Sequence, residues 1–366
     1  MLRDYLAPRW LPGGNLQTIW AARYARRGNA PPAYRRERWD TPDGDFIDVD
    51  FVDAHGAGPA PLLVLFHGLE GSSRSHYAEA FAAVAAARGW GFAVPHFRGC
   101  SGELNRAPRA YHSGDFEEVG WILARFRERQ DAMAAADGAD RRIGAPAGVD
   151  APAAVDPPDG APQGPAPTAM AMAMAPLLAA GISLGGNALM RWAEEAGRSA
   201  TGVVCAVAAV SAPLDLAAGG DAIGLGFNRL VYTRMFLATM KPKALAKLAQ
   251  HPGLFDRATL MAARDLRAFD NVFTAPLHGF RDTDDYWARG SARPHLHTIR
   301  VPALVVNAAN DPFVPAASLP RPHEVGRQVT LWQPVHGGHV GFPHGRPPGH
   351  VRTMPEAVCA WLARHL

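Results

Sequence analysis

Cysteine is scarce in this chain. There are three in 366 residues, Cys100, Cys205 and Cys359. An odd number so widely spaced excludes a disulfide framework and a zinc-ligand pair, and it suits a reducing compartment and a cytoplasmic protein. Long hydrophobic runs are missing too. No stretch reaches the roughly 18 apolar residues that a membrane span needs, and MLRDYLAPRWLPGG at the start has no apolar run of signal-peptide length. Nor is there an excess of charge of one sign. The formal net charge is +3, and the basic residues are scattered apart from Lys241, Lys243 and Lys247, which read as a solvated helix face. That leaves no electrostatic footprint for nucleic acid.

Apolar residues make up 48% of the chain and charged residues 19%. The length suits one large α/β domain with an insert, or two modest domains. Residues 1–44, rich in Pro, Arg and aromatics, read as an extended N-terminal arm lying on the core. FIDVDFV (46–52) alternates with period two and reads as an antiparallel edge strand. PLLVLF (61–66), GFAVPHF (91–97), GVVCAVAAVSAP (202–213), PALVVNAAND (302–311) and QVTLWQP (328–334) read as further strands, several of them continuous apolar runs of the buried, parallel kind. Pro95 predicts fraying or a place at the sheet margin. Helical patterns at 76–89, 115–130, 184–197 and 354–366 separate them. Such alternation predicts a mostly parallel central sheet with helices on both faces. The core is expected in two parts, 45–213 and 297–366, with a helical cap at 214–296 between them. Residues 131–176, mostly Ala, Pro, Gly and Asp, read as a disordered insertion.

Chemistry concentrates at the ends of these strands. Gly181-Ile182-Ser183-Leu184-Gly185 fits G-x-S-x-G between a strand and a helix. A turn that sharp needs glycines, and it holds the serine hydroxyl out at the carboxyl end of the sheet beside the Leu184 N–H. Serine is a weak nucleophile without a base, and the base needs an orienting carboxylate. Asp311 follows one late strand, and His339 follows the last in a glycine-rich loop. Spacing alone leaves His336 as a rival base and Asp215 as a weaker rival acid. LFHGLEG (65–71) follows a buried strand, and its loop can present the Leu69 N–H as a second donor for an oxyanion.

Several stretches resemble the YheT-like branch of the α/β-hydrolases: NLQTIW (15–20), HGLEGSSRSHY (67–77), HFRGCSGELNR (96–106), YHSGD (111–115), GISLGGN (181–187), NAANDPFVP (307–315) and HGGHVGF (336–342). The resemblance implies the α/β-hydrolase fold, serine esterase or lipid-acyl hydrolase activity, and no cofactor or metal. It implies Ser183 as nucleophile, Asp311 as acid and His339 as base. The chain departs from the branch at Asn310-Asp311, where two acids are common, and at the 131–176 insertion. Arg98 is expected to brace its loop rather than touch substrate, and Cys100 has no resolving cysteine nearby.

The expected function is carboxylic-ester hydrolysis, with Leu69 and Leu184 as oxyanion donors. The aromatic-rich cap favours a small-molecule ester or lipid substrate with a short to medium acyl chain. The alternatives are a non-catalytic hydrolase-fold binding protein and an acyltransferase.

Overall fold

The computed structural model describes residues 4–28, 30–54, 60–143 and 175–366. Eight strands form one sheet: β1 (Arg35–Asp40), β2 (Phe46–Val52), β3 (Leu62–Phe66), β4 (Gly91–Pro95), β5 (Leu177–Ile182), β6 (Ala206–Val210), β7 (Ala303–Val306) and β8 (Val329–Trp332). Their order is β1-β2-β4-β3-β5-β6-β7-β8. The pairs β1–β2 and β2–β4 are antiparallel, and the six strands from β4 to β8 run parallel.

The period-two alternation of strand side chains divides the core into two layers. Val64, Phe66, Ala179, Val207 and Val305 face helices α3 (Phe116–Ile143) and α4 (Leu184–Ala196). Leu63, Leu65, Leu178, Ala208 and Leu304 face α2 (His76–Ala87) and the C-terminal helix Thr353–Leu362. The middle strands are unusually small-sided. A Cβ on Gly186 would stand 2.9 Å from that of Ala212, so α4 lies almost directly on the sheet. Among the described residues, no helix is long and apolar enough to cross a membrane.

Several expectations need correction. The 46–52 strand is antiparallel but not at the edge, because β1 pairs outside it. The 1–44 segment is more than an extended arm, holding both β1 and helix α1 (Gly14–Arg23). In β1, RRERWD disguises a strand as a solvated stretch. Arg36 and Arg38 pair with the buried carboxylates of their cross-strand partners Asp50 and Asp48 at 2.7 and 2.8 Å. Opposite charges in register stabilise the pairing, and a charged edge resists further strand addition. Of the expected disordered insertion, residues 131–143 instead prolong α3, and 144–174 lie outside the described residues. Alanine is the best helix former, and Arg127 bonds Asp131 one turn on at 2.6 Å.

Between β6 and β7 the chain forms only helical elements. They include α5 (Leu216–Ile223) and the helix Arg234–Gln250. The lysines of the latter helix do not form the solvated face expected of them: Lys247 is 1% exposed and ties the helix to the core by donating to the Asn105 and Ala107 carbonyls at 2.6 and 2.8 Å.

Candidate active site

Ser183 stands between β5 and α4 with φ 52° and ψ −118°, a left-handed backbone that costs a non-glycine residue on the order of 1–3 kcal/mol. The surroundings hold it there. Its N–H donates to the Val210 carbonyl at 2.8 Å, and its carbonyl accepts from the Gly186 and Asn187 N–H groups. The flanking glycines have no alternative. A Cβ on Gly181 would meet the Gly185 carbonyl oxygen at 2.4 Å, and one on Gly185 would meet the His67 carbonyl oxygen at 2.5 Å. The α4 N-terminus adds its partial positive charge at this point.

His339 Nε2 lies 3.0 Å from Ser183 Oγ. Its Nδ1 lies 2.9 and 3.2 Å from the two Asp311 carboxylate oxygens. A carboxylate can only accept. The Nδ1–H therefore donates to Asp311, which leaves Nε2 to accept from the serine hydroxyl. The Asp311 side chain is wholly buried, and its Oδ1 also accepts from the Phe313 N–H at 2.8 Å. The Phe313 ring lies 4.2 Å, centroid to centroid, from the imidazole. Serine, imidazole and carboxylate thus form one continuous hydrogen-bonded chain at the carboxyl ends of β5, β7 and β8.

Across this geometry, the chain is 35% identical to YheT of Escherichia coli, a protein that carries an esterase name, over 99% of this chain and 94% of that one. The chain belongs to the YheT family of α/β-hydrolases. It is also 27% identical to the mouse phospholipase ABHD3, over 88% of this chain and 70% of that one. A solved structure of a 2,6-dihydroxy-pseudo-oxynicotine hydrolase superposes with TM-score 0.51 at 15% identity, over 92% of this chain and 68% of that one, a likeness of fold. No protein-family model matches the chain.

The rivals fall elsewhere in this hydrolase. His336 makes no hydrogen bond to Ser183, and its buried Nδ1 has no partner among the described residues. Asp215 caps α5 by accepting from the Ala218 N–H at 3.0 Å. A second set of the same residue types, Ser73, Asp50 and His96, is buried under β2. There the serine and the histidine bond the same carboxylate oxygen and not each other, so no proton path runs from hydroxyl to imidazole.

Leu69 and Leu184 both line the cavity beside Ser183. Neither N–H donates to a protein acceptor among the described residues. The loop carrying Leu69 touches Ser183, since a Cβ on Gly68 would stand 3.2 Å from that of Ser183. His67 anchors the loop's base. It is fully buried, and burial pushes its imidazole down to about 3. Its Nε2 accepts from the Phe97 N–H at 3.0 Å, so the proton sits on Nδ1 and donates to the Gly68 carbonyl. Arg98 braces its loop as expected, ion-pairing with Asp43, Asp45 and Glu118. Burial raises the Cys100 thiol to about 12, well above the range of a reactive thiolate.

Ser183 opens onto a cavity with about 1110 Å³ of empty space, solvent at its mouth included. Its wall is largely apolar, with Leu216, Ile223, Phe236, Met240, Phe273 and Phe313 among the lining residues. Asp270 is a polar exception. Its carboxylate accepts from Thr274 and Trp287, and burial pushes it up to about 6.

The sequence alone marks no role for Gln17, Thr18, Glu70, Tyr111, Asn187 or Asn310, although all six lie inside the motifs quoted above. Asn187 is fully buried and binds the Ser113 and Gly290 carbonyls, so it ties the helix behind Ser183 to the YHSGD loop and to the end of the helical segment.

Proposed function

We propose that this ester hydrolase works by acyl transfer through Ser183, with His339 as general base and then acid, and Asp311 as the orienting carboxylate. The observation that carries the reading is the unbroken path from Ser183 Oγ through His339 to Asp311 at the mouth of an apolar cavity. Ser183 Oγ attacks the ester carbonyl carbon while its proton passes to His339 Nε2. The carbonyl oxygen becomes an oxyanion, held by the N–H groups of Leu69 and Leu184. The C–O bond to the alcohol then breaks, and His339 returns the proton to the leaving oxygen. Water, deprotonated by the same imidazole, cleaves the acyl-serine and releases the acid.

The apolar wall favours esters with short to medium acyl chains or lipid acyl groups over charged substrates. The names of the relatives, esterase and phospholipase, support the same class.

A fluorophosphonate probe tests the assignment. The wild-type protein is expected to be labelled and to hydrolyse p-nitrophenyl esters, whereas Ser183→Ala is expected to do neither. Equal labelling of the two proteins would overturn the nucleophile. Labelling without ester turnover, combined with acyl transfer to an added alcohol, would point to an acyltransferase.

A further inference from the structure

We infer that helix α1 completes the catalytic machinery, with Gln17 and Thr18 acting as positioning residues for the base. The inference rests on the reading of His339 as that base.

The loop bearing His339 is an improbable conformation. Gly337 has φ 152°, Gly338 63° and Val340 56°, so a branched residue as well as two glycines sits at positive φ. A backbone like this persists only where its surroundings over-determine it. Here four consecutive N–H groups are each taken by a side chain. Gly337 donates to Gln17 Oε1 at 2.9 Å, Gly338 to Asn310 Oδ1 at 3.0 Å, His339 to Thr18 Oγ1 at 2.8 Å and Val340 to Ser211 Oγ at 3.0 Å. Two of these acceptors stand on α1.

Both acceptors are themselves oriented. Thr18 Oγ1 donates its proton to the Gly14 carbonyl at 2.8 Å, which turns its lone pairs towards the His339 amide. Gln17 is 1% exposed. Its Nε2 donates to the Leu11 carbonyl at 2.9 Å, and its Oε1 accepts from Asn310 Nδ2 at 3.0 Å as well as from Gly337. The backbones interlock around these bonds. A Cβ on Gly14 would come within 1.8 Å of the Asn310 carbonyl oxygen, and one on Gly338 within 2.7 Å of the Gly14 oxygen.

The imidazole must reach Asp311 and Ser183 at once, each near 3 Å. A displacement of about 1 Å would break both contacts and can cost about a hundredfold in rate. Thr18 bonds the amide of the base residue itself, so its effect must run through His339.

The test compares Thr18→Val, which keeps the shape and loses the acceptor, with Thr18→Ser, which restores it. Both are made in the wild-type and His339→Ala backgrounds. Turnover of p-nitrophenyl butyrate, the rate of fluorophosphonate labelling and the melting temperature are measured. In the wild-type background Thr18→Val is expected to lower kcat and labelling rate about 10- to 100-fold, with KM within about twofold. Thr18→Ser should stay within about threefold of wild type. In the His339→Ala background Thr18→Val should leave the labelling rate unchanged, because the group it acts through is gone. Wild-type activity in Thr18→Val, or the same loss in both backgrounds, would overturn the inference. If Thr18→Val fails to fold, Gln17→Met carries the same comparison. Wild-type turnover by His339→Ala alone would instead overturn the base assignment.

Discussion

Lys243 Nζ lies 2.9 Å from Glu70 Oε2, so a helix over the cavity is clasped to the residue that follows Leu69. Glu70 sits at φ 55°. It is gripped twice more, its N–H donating to Tyr111 Oη at 2.9 Å and its Oε1 accepting from the same hydroxyl at 2.9 Å. We expect Tyr111→Phe to lower kcat about tenfold with little change in KM, since loosening the proposed oxyanion donor Leu69 would weaken only what forms in the transition state. Steady-state kinetics on p-nitrophenyl butyrate checks this. An unchanged kcat would mean that the clasp does not govern the donor.

The two histidines separate by mutation. His339→Ala should lower kcat at least about a thousandfold, because an unassisted serine is left behind. His336→Ala should remain within about threefold of wild type. Asp215→Ala should cost about 1 kcal/mol of stability through its lost helix cap and leave turnover intact, as read by thermal melts beside the same assay. The reverse pattern at 336 and 339 would displace the proposed base.

The cavity wall sets acyl length in this reading. Met240 lines it from the Arg234–Gln250 helix. Met240→Trp should fill part of the space and raise KM for p-nitrophenyl octanoate about tenfold while leaving the acetate ester unaffected, an effect of lost apolar burial. Equal effects on both esters would place acyl binding elsewhere.

Three imidazoles should stay neutral well into the acid range. Burial lowers His67 to about 3, His76 to about 4 and His112 to about 3. The unfolded chain binds protons on these rings near 6.5, so each ring's contribution to stability is complete above pH 6.5 and falls below it, by up to about 1.4 kcal/mol per pH unit. Buried Asp270, Glu118 and Glu194, all raised by burial, work in the opposite direction over the same range, so the rings are read individually. Imidazole nitrogen chemical shifts between pH 8 and 5 measure them, and a ring among these three that protonates by pH 5.5 would contradict the prediction.

What could be read in the sequence was what carries its own local signature. The parallel strands announce themselves as apolar runs, and Ser183, Asp311 and His339 each stand just past one in the order this fold uses. All three come together in space. Strand β1 was hidden because its cross-strand acids neutralise its arginines, and pairing of that kind has no local period. Composition misleads at 131–143, because alanine serves a helix as well as a loop. Gln17 and Thr18 are ordinary polar residues whose partners in the His339 loop lie more than 300 positions away. Nothing near them in the chain marks their use.

The same separation bears on unfolding. The bonds from Gln17 and Thr18 to the loop after β8 join segments more than 300 positions apart, so breaking them frees most of the chain at once. Detachment of α1 and disordering of the proposed base are therefore expected to occur as one cooperative event.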